Sequence, residues 1–188
     1  MNIAITGSNG FIAKNLIHRL NETKKFNILS ISRNTKQTDF KKKIIDADLI
    51  FHLAGVNRPT NNKEFKQNYL LTDKIVDIII KSKKKTPIIF SSTTQVLNKK
   101  SYGVSKKKSE KILIQLKKRN KNCICILRLP NIFGKWAKPN YNSVVATFCF
   151  NAVRGLPIKI NNKKTEITLA YIDDVVEDFI SLLNGKAC

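Results

Sequence analysis

The chain opens on a short apolar run, Asn2–Thr6, and a glycine-bearing turn, and then the period changes. Phe11, Ile12, Leu16, Ile17 and Leu20 recur at three- and four-residue spacing, which places them on one helix face. The same alternation repeats along the chain. Phe26–Ile31, Leu49–Leu53, Ile88–Ser91 and Cys123–Leu127 read as strands. Between them, Thr38–Ile45 reads as a short helical connector and Tyr102–Arg119 as a longer helix. Glu64–Lys81 reads as an amphipathic helix whose lysine-rich end suits the negative pole of the helix dipole. Strands alternating with helices imply βαβ units, a parallel sheet and right-handed crossovers. The expected fold is α/β, a doubly wound parallel sheet. After Arg128 the regularity loosens. A loop rich in Pro, Gly and Asn covers Leu129–Asn142, followed by a helix near Ser143–Arg154. A short strand at Pro157–Ile160 and a last helix after Tyr171 complete the pattern.

A length of 188 residues suits one core of ordinary size. No apolar run approaches the ~18 residues of a membrane span, so no membrane insertion is expected. Ile3-Ala4-Ile5 runs straight into the turn without the basic leader of a signal peptide, and a cytoplasmic location follows as the expectation. Cys123 and Cys125 alternate along a strand, Cys149 falls in a helix and Cys188 ends the chain. Their spacing fits neither a zinc site nor a disulfide framework, so buried thiols in a reducing compartment are expected. The net charge of +22, from 35 Lys and Arg against 13 Asp and Glu, raises the question of nucleic acid. The lysines are dispersed through several surface runs, among them Lys41–Lys43 and Lys106–Lys108, without interleaved aromatics. A stacking platform needs such aromatics. No specific nucleic-acid partner is expected, and the positive field serves a ligand with two or three phosphates equally well.

Three constellations carry candidate chemistry. Thr6-Gly7-Ser8-Asn9-Gly10-Phe11-Ile12-Ala13 follows the first strand and opens the first helix, the setting a dinucleotide-binding turn requires. Gly7 allows the tight turn, Gly10 lets a pyrophosphate approach the backbone, and Ala13 lets the helix pack closely on the sheet. The free N–H groups of the helix start then face the phosphates. This gives the doubly wound sheet a Rossmann character. Next, the segment after the second strand, Ser30-Ile31-Ser32-Arg33-Asn34, carries Arg33 where an NAD site would place a carboxylate. A guanidinium can fork onto a 2′-phosphate, so NADP(H) is expected over NAD(H). Finally, Tyr102 and Lys106 are four residues apart on one helix face, where a lysine cation would lower the phenol's pKa of about 10. Ser91-Ser92-Thr93-Thr94 ends the preceding strand with hydroxyls that can hold a carbonyl. His52 is a lone histidine at a strand end. It reads as a satisfied structural group, and a single histidine makes no metal site.

With these motifs in place, the chain resembles an extended short-chain dehydrogenase/reductase of the NAD-dependent epimerase/dehydratase family. The resemblance rests on TGxxGFxA, His52–Gly55 (HLAG), the hydroxyl cluster, YxxxK and Arg128–Gly134 (RLPNIFG). Two longer stretches, Asn131–Cys149 and His52–Pro59, are similar to a subgroup of reductases. These form one half of a bifunctional capsular-polysaccharide enzyme that makes UDP-N-acetyl-L-fucosamine. The resemblance implies Thr93 as the catalytic hydroxyl, Tyr102 as proton donor, and Lys106 as the group that holds the nicotinamide ribose and tunes Tyr102. It implies cofactor contacts from Gly7, Gly10, Phe11, Ile12, Arg33, Leu53, Ala54 and Gly55, and substrate contacts from Asn131 and Asn142. The implied activity is NADPH-dependent reduction of a UDP-linked 4-keto deoxy-sugar in capsule or O-antigen precursor synthesis. A nucleotide sugar is the expected partner. An NAD-dependent sugar-nucleotide epimerase and a non-catalytic NADP(H)-binding protein are the alternatives. Sugar 4,6-dehydratases of this family place Asp-Glu directly after the catalytic threonine. Thr94-Gln95 stands there instead and cannot perform that proton chemistry.

The family implies a division into a dinucleotide-binding core, residues 1–128, and a small substrate lobe, 129–188, that is incomplete. Tyr171–Val176 resembles a segment after which extended reductases continue for several tens of residues. The expectation is a truncated chain that binds NADP(H) but reduces sugar nucleotides weakly or not at all. Apolar faces around Val144–Val153 and Phe179–Leu183 are expected to lack cover, a setting for a homo-oligomer.

Overall fold

The structure, a computed structural model, describes residues 1–98, 100–160, 162 and 164–183. Its first nine elements are β1 (Asn2–Thr6), α1 (Phe11–Thr23), β2 (Asn27–Ile31), α2 (Gln37–Asp46), β3 (Leu49–His52), α3 (Lys66–Lys81), β4 (Ile88–Thr93), α4 (Ser101–Asn120) and β5 (Ile124–Leu129). The five strands pair in parallel in the order β2-β1-β3-β4-β5. Every residue of β3 and β4 is buried, as strands covered on both faces must be. On one face Phe40, Ile44, Ile75, Ile79 and Leu113 from α2, α3 and α4 pack on Ala4, Ile50 and Phe90. On the other, Leu16 and Leu20 of α1 pack on Ile3, Ile5 and Phe51. Helices on both faces make the sheet doubly wound. The connection after β1 leads to β2 at one edge, whereas β3 pairs on the opposite side of β1. A crevice therefore opens at the carboxyl ends of β1 and β3, the switch point where such sheets bind ligands.

The last third of the chain departs from the expected pattern in three ways. Within the expected loop, β6 (Asn131–Phe133) pairs in parallel with β7 (Leu169–Tyr171) to form a second, two-stranded sheet. Strands this short carry no readable period, and their pairing joins segments far apart in sequence. Pro157–Ile160 is not a strand. Its alternating apolar residues, Ile158 and Ile160, are exposed and have no sheet to join. α5 (Val144–Val153) starts on a Ser143 cap, whose Oγ accepts from Ala146 N at 3.2 Å, yet none of its residues is buried. Val153 is 84% exposed. α6 (Ile172–Ser181) behaves otherwise. Ile172, Val175, Val176 and Phe179 form one buried stripe against α1 and the sheet. Phe179 meets Phe51 edge-on at 5.4 Å. The expectation of an uncovered face thus holds for α5 and fails at Phe179, because α6 folds back onto the dinucleotide core.

The thiols also differ from expectation. Cys125 is half-buried, and Cys149 is exposed on the uncovered α5. Cys123 is half-buried and disulfide-bonded, contrary to the expectation of a free thiol, and Cys188 lies outside the described residues. No described helix is long and apolar enough to cross a membrane.

Candidate active site

The crevice is built first by backbone. Gly7 has φ +71°, and a Cβ there would lie 2.7 Å from Ala54 Cα and 2.9 Å from Ala54 N. Only glycine lets the turn after β1 lie this close to the segment after β3. The turn closes through Gly10 N donating to Gly7 O at 2.7 Å. Gly10 is the N-cap of α1 and offers no side chain to its first-turn N–H groups, which remain available to an anion.

Two cavities flank this turn and share Gly7, Asn9, Gly10, Leu53 and Gly55. One, of about 580 Å³, runs toward β2 and α2 and is walled by Ile31, Arg33, Phe40 and Ala54. The other, of about 480 Å³, runs toward the loop after β6 and is walled by Phe11, Ile12, Trp136, Lys138, Tyr141 and Asn142. A phosphate-accepting backbone with room on each side fits a dinucleotide laid across it. Gly7, Gly10, Phe11, Ile12, Arg33, Leu53, Ala54, Gly55 and Asn142 are therefore gathered at one site. Asn131 is exposed in β6, its N–H donating to Thr168 O at 3.3 Å, and lines neither cavity.

His52 is fully engaged behind the turn. Thr72 Oγ1 donates to Asn68 O at 2.9 Å, so at 2.9 Å it accepts from His52 Nε2. His52 Nδ1 must then accept from Thr6 Oγ1 at 2.8 Å, and Thr6 Oγ1 itself accepts from Ala54 N at 3.2 Å. Burial, then the nearby Lys106 cation, lowers the imidazole pKa to about 3. The neutral ring fixes the ends of β1 and β3 relative to each other, in keeping with the structural reading.

Thr93 ends β4, and Tyr102 and Lys106 stand on the first turns of α4; none of the three lines either cavity. Thr93 Oγ1 accepts from Gln95 N at 3.2 Å and caps a short 3-10 turn, leaving its own O–H to donate elsewhere. Lys106 is buried, with Nζ 4.2 Å from the centre of the Phe90 ring. A Cβ on Gly55 would lie 3.7 Å from Lys106 Nζ, so the ammonium stands directly behind the wall common to both cavities. Burial lowers its pKa to about 7, and the Glu110 carboxylate opposes that shift. Burial raises the pKa of Tyr102. This corrects the expectation that Lys106 lowers it: desolvation of the phenol is the operative cause.

Sequence reasoning missed two groups that hold this arrangement. Asn68 of α3 accepts from Val56 N at 2.7 Å and donates to Val56 O at 3.0 Å and to Ser105 Oγ at 2.9 Å. It ties the segment after β3 to α4. Glu110 accepts from Ser92 Oγ at 2.5 Å and from Arg128 Nε and Nη2 at 3.0 and 2.8 Å. Burial would push its carboxyl up, but the Arg128 and Ser92 hydrogen bonds prevail and hold it below its usual value. Glu110 thereby joins α4 to β4 and β5. The available signal was spacing, since Tyr102, Lys106 and Glu110 fall four apart on one helix stripe.

Comparison with known proteins shows the family. The family model of the NAD dependent epimerase/dehydratase family matches residues 3–187. A UDP-2-acetamido-2,6-beta-L-arabino-hexul-4-ose reductase from Pseudomonas aeruginosa is 42% identical over 188 residues, covering 99% of this chain and 50% of that protein. The crystal structure of the capsular polysaccharide assembling protein CapF from Staphylococcus aureus matches with a TM-score of 0.88 at 41% identity, over 98% of this chain and 50% of its own. The UDP-glucuronic acid 4-epimerase of Bacillus cereus in complex with NAD matches with a TM-score of 0.84 at 20% identity, over 98% of this chain and 74% of its own, a likeness of fold. The chain spans about half the length of the curated relative it matches. With its glycine turn at the switch point and its Tyr/Lys helix beside it, the chain belongs to the NAD dependent epimerase/dehydratase family and carries the nicotinamide-cofactor site of that family.

Proposed function

We propose that this chain is the cofactor-binding and catalytic part of an NADPH-dependent reductase acting on a UDP-linked 4-keto deoxy-sugar, in capsular-polysaccharide precursor synthesis. The observation that carries the reading is the 42% identity, across 99% of this chain, to a reductase of a UDP-linked hexul-4-ose. An intact Thr93, Tyr102 and Lys106, on the end of β4 and the first turns of α4, supports it. Gly7, Gly10, Phe11, Ile12, Leu53, Ala54 and Gly55 would hold the dinucleotide, with Arg33 at its 2′-phosphate. Asn142 would face the sugar nucleotide from the second cavity. Asn131, exposed in β6 and outside both cavities, is left without a role in this reading.

When bound, the reduced nicotinamide supplies a hydride to the carbonyl carbon. Everything else falls to this chain. Thr93 donates its hydroxyl proton in a hydrogen bond to the carbonyl oxygen and polarises it. Tyr102, kept protonated by its raised pKa, transfers its phenolic proton to that oxygen as the alkoxide forms. Lys106 holds the ribose hydroxyls and faces the phenolate left behind. A tightly held NAD, as in 4-epimerases, is disfavoured because, among the described residues, no carboxylate lines the cavity that Arg33 borders.

Two substitutions test the reading. Tyr102→Phe leaves NADPH binding intact and lowers turnover of a UDP-4-keto-sugar by about 10²–10⁴-fold. Arg33→Asp weakens NADPH far more than NADH. Wild-type turnover in Tyr102→Phe would remove the catalytic assignment, and equal losses of both cofactors in Arg33→Asp would remove the cofactor preference.

A further inference from the structure

The cavity toward β2 holds a charged group that the proposed reaction leaves unused. Lys74 of α3 lines the same cavity as Arg33, which follows β2. Its ammonium lies 4.7 Å from the centre of the Phe40 ring and donates to Gln37 Oε1 at the first residue of α2. Lys74 is half-buried and already engaged by Phe40 and Gln37 before any ligand arrives. Binding then costs it less side-chain freedom than it would a fully solvated lysine. α2 begins without a side-chain cap, which leaves first-turn N–H groups at the same end of the cavity. Among the described residues, no Asp or Glu lines this cavity. A bare ribose diol finds no carboxylate acceptor there, whereas a phosphate finds two cations from separate elements. The apolar walls Ile31, Phe40 and Leu71 leave a slot that suits a purine ring.

We propose that Lys74 is a second cation, beside Arg33, that receives the 2′-phosphate of an adenine dinucleotide, so that cofactor choice depends on two residues from different elements. The inference rests on the NADP(H) reading given above. On binding, Lys74 Nζ exchanges its Gln37 acceptor for a phosphate oxygen, and its seat on Phe40 stays in place. A lysine and an arginine divide the work in a characteristic way. The guanidinium fixes direction through its fork, and the ammonium adds a compact charge.

The test uses ligands that lack nicotinamide, so that catalysis plays no part. Titration calorimetry at fixed salt compares adenosine 2′,5′-bisphosphate with 5′-AMP on the wild-type chain, Lys74→Gln, Lys74→Arg and Arg33→Gln. The wild type is expected to bind the bisphosphate at least tenfold more tightly than 5′-AMP. Lys74→Gln is expected to lose about tenfold for the bisphosphate, the scale of one charge-assisted contact, with 5′-AMP unchanged. Lys74→Arg should retain most of the preference. If Lys74→Gln keeps wild-type affinity for the bisphosphate, or weakens both ligands alike, the role of Lys74 is overturned. A selective loss in Arg33→Gln would then leave the NADP(H) reading standing. A wild type that does not distinguish the two ligands overturns both.

Discussion

Gly7 and His52 hold the two sides of the crevice by opposite means, one by lacking a side chain and one by engaging both ring nitrogens. Gly7→Ala puts a methyl group 2.7 Å from Ala54 Cα at a φ of +71°. The expected cost is about 1–3 kcal/mol of stability, with loss of dinucleotide binding. Denaturant titration and cofactor fluorescence measure the two effects, and an unchanged unfolding midpoint would count against the close approach. His52 gives the molecule a pH dependence. Its folded pKa of about 3 lies below the unfolded value of 6.5, so between these pH values the unfolded chain holds the extra proton. Stability therefore falls as pH is lowered from about 6.5 toward 3. Protonation of Nδ1 would also break the hydrogen bond from Thr6. Replacing His52 with Gln should flatten that part of the profile while lowering stability at neutral pH. Chemical denaturation across this range decides it, and identical slopes for both proteins would contradict the assignment.

At the scale of elements, α4 is the beam on which the site is mounted. Lys106 stands behind the crevice wall at Gly55, Tyr102 lies one turn before it, and Glu110 fastens the next turn to Ser92 and Arg128. The Glu110 side chain is 4% exposed and that of Arg128 is 48% exposed, so the pair is buried on one side only. Arg128→Ala leaves a buried carboxylate with Ser92 as its remaining hydrogen-bond donor. Breaking a fully buried pair this way is strongly destabilising, and the exposure of Arg128 makes the expected loss of stability smaller than that. The substitution should also raise the Glu110 carboxyl toward or above its unfolded value, so the share of acid destabilisation that Glu110 contributes should shrink or reverse. No measurable loss of stability would class the pair with surface ion pairs.

The elements also mark what was legible in the sequence. Strands buried on both faces read as apolar runs, α1 and α3 carry clean periods, and the glycine turn lies between β1 and α1 as its spacing requires. The β6–β7 pair was hidden because register between distant three-residue segments leaves no local trace. The Ile158–Ile160 alternation misled because a strand needs a neighbour as well as a period. Within the site, Tyr102 and Lys106 were legible as a motif. Asn68, Glu110 and Lys74 were not, because each acts through partners on other elements that only the fold brings near.

The whole molecule carries +22 charges, and these bear on association more than on the fold. NADPH affinity should fall as salt rises, by more than that of NADH, which has one phosphate fewer. DNA should be retained weakly, without sequence preference, and released by raised salt. Retention of one sequence over others at physiological salt would contradict the view that the lysines are a diffuse field. The central claim concerns hydride and proton delivery to a sugar ketone, and a single-turnover experiment addresses it most directly. Protein loaded with one equivalent of NADPH is mixed with a UDP-linked 4-keto-6-deoxy sugar, and absorbance of the reduced nicotinamide is followed to completion. Loss of that absorbance is expected, however slow, with a UDP-linked 4-hydroxy sugar as product, and a decay about 10²–10⁴-fold slower when Tyr102→Phe replaces the wild type. Absorbance that persists in the wild type with both ligands bound, or that decays equally in Tyr102→Phe, would contradict it.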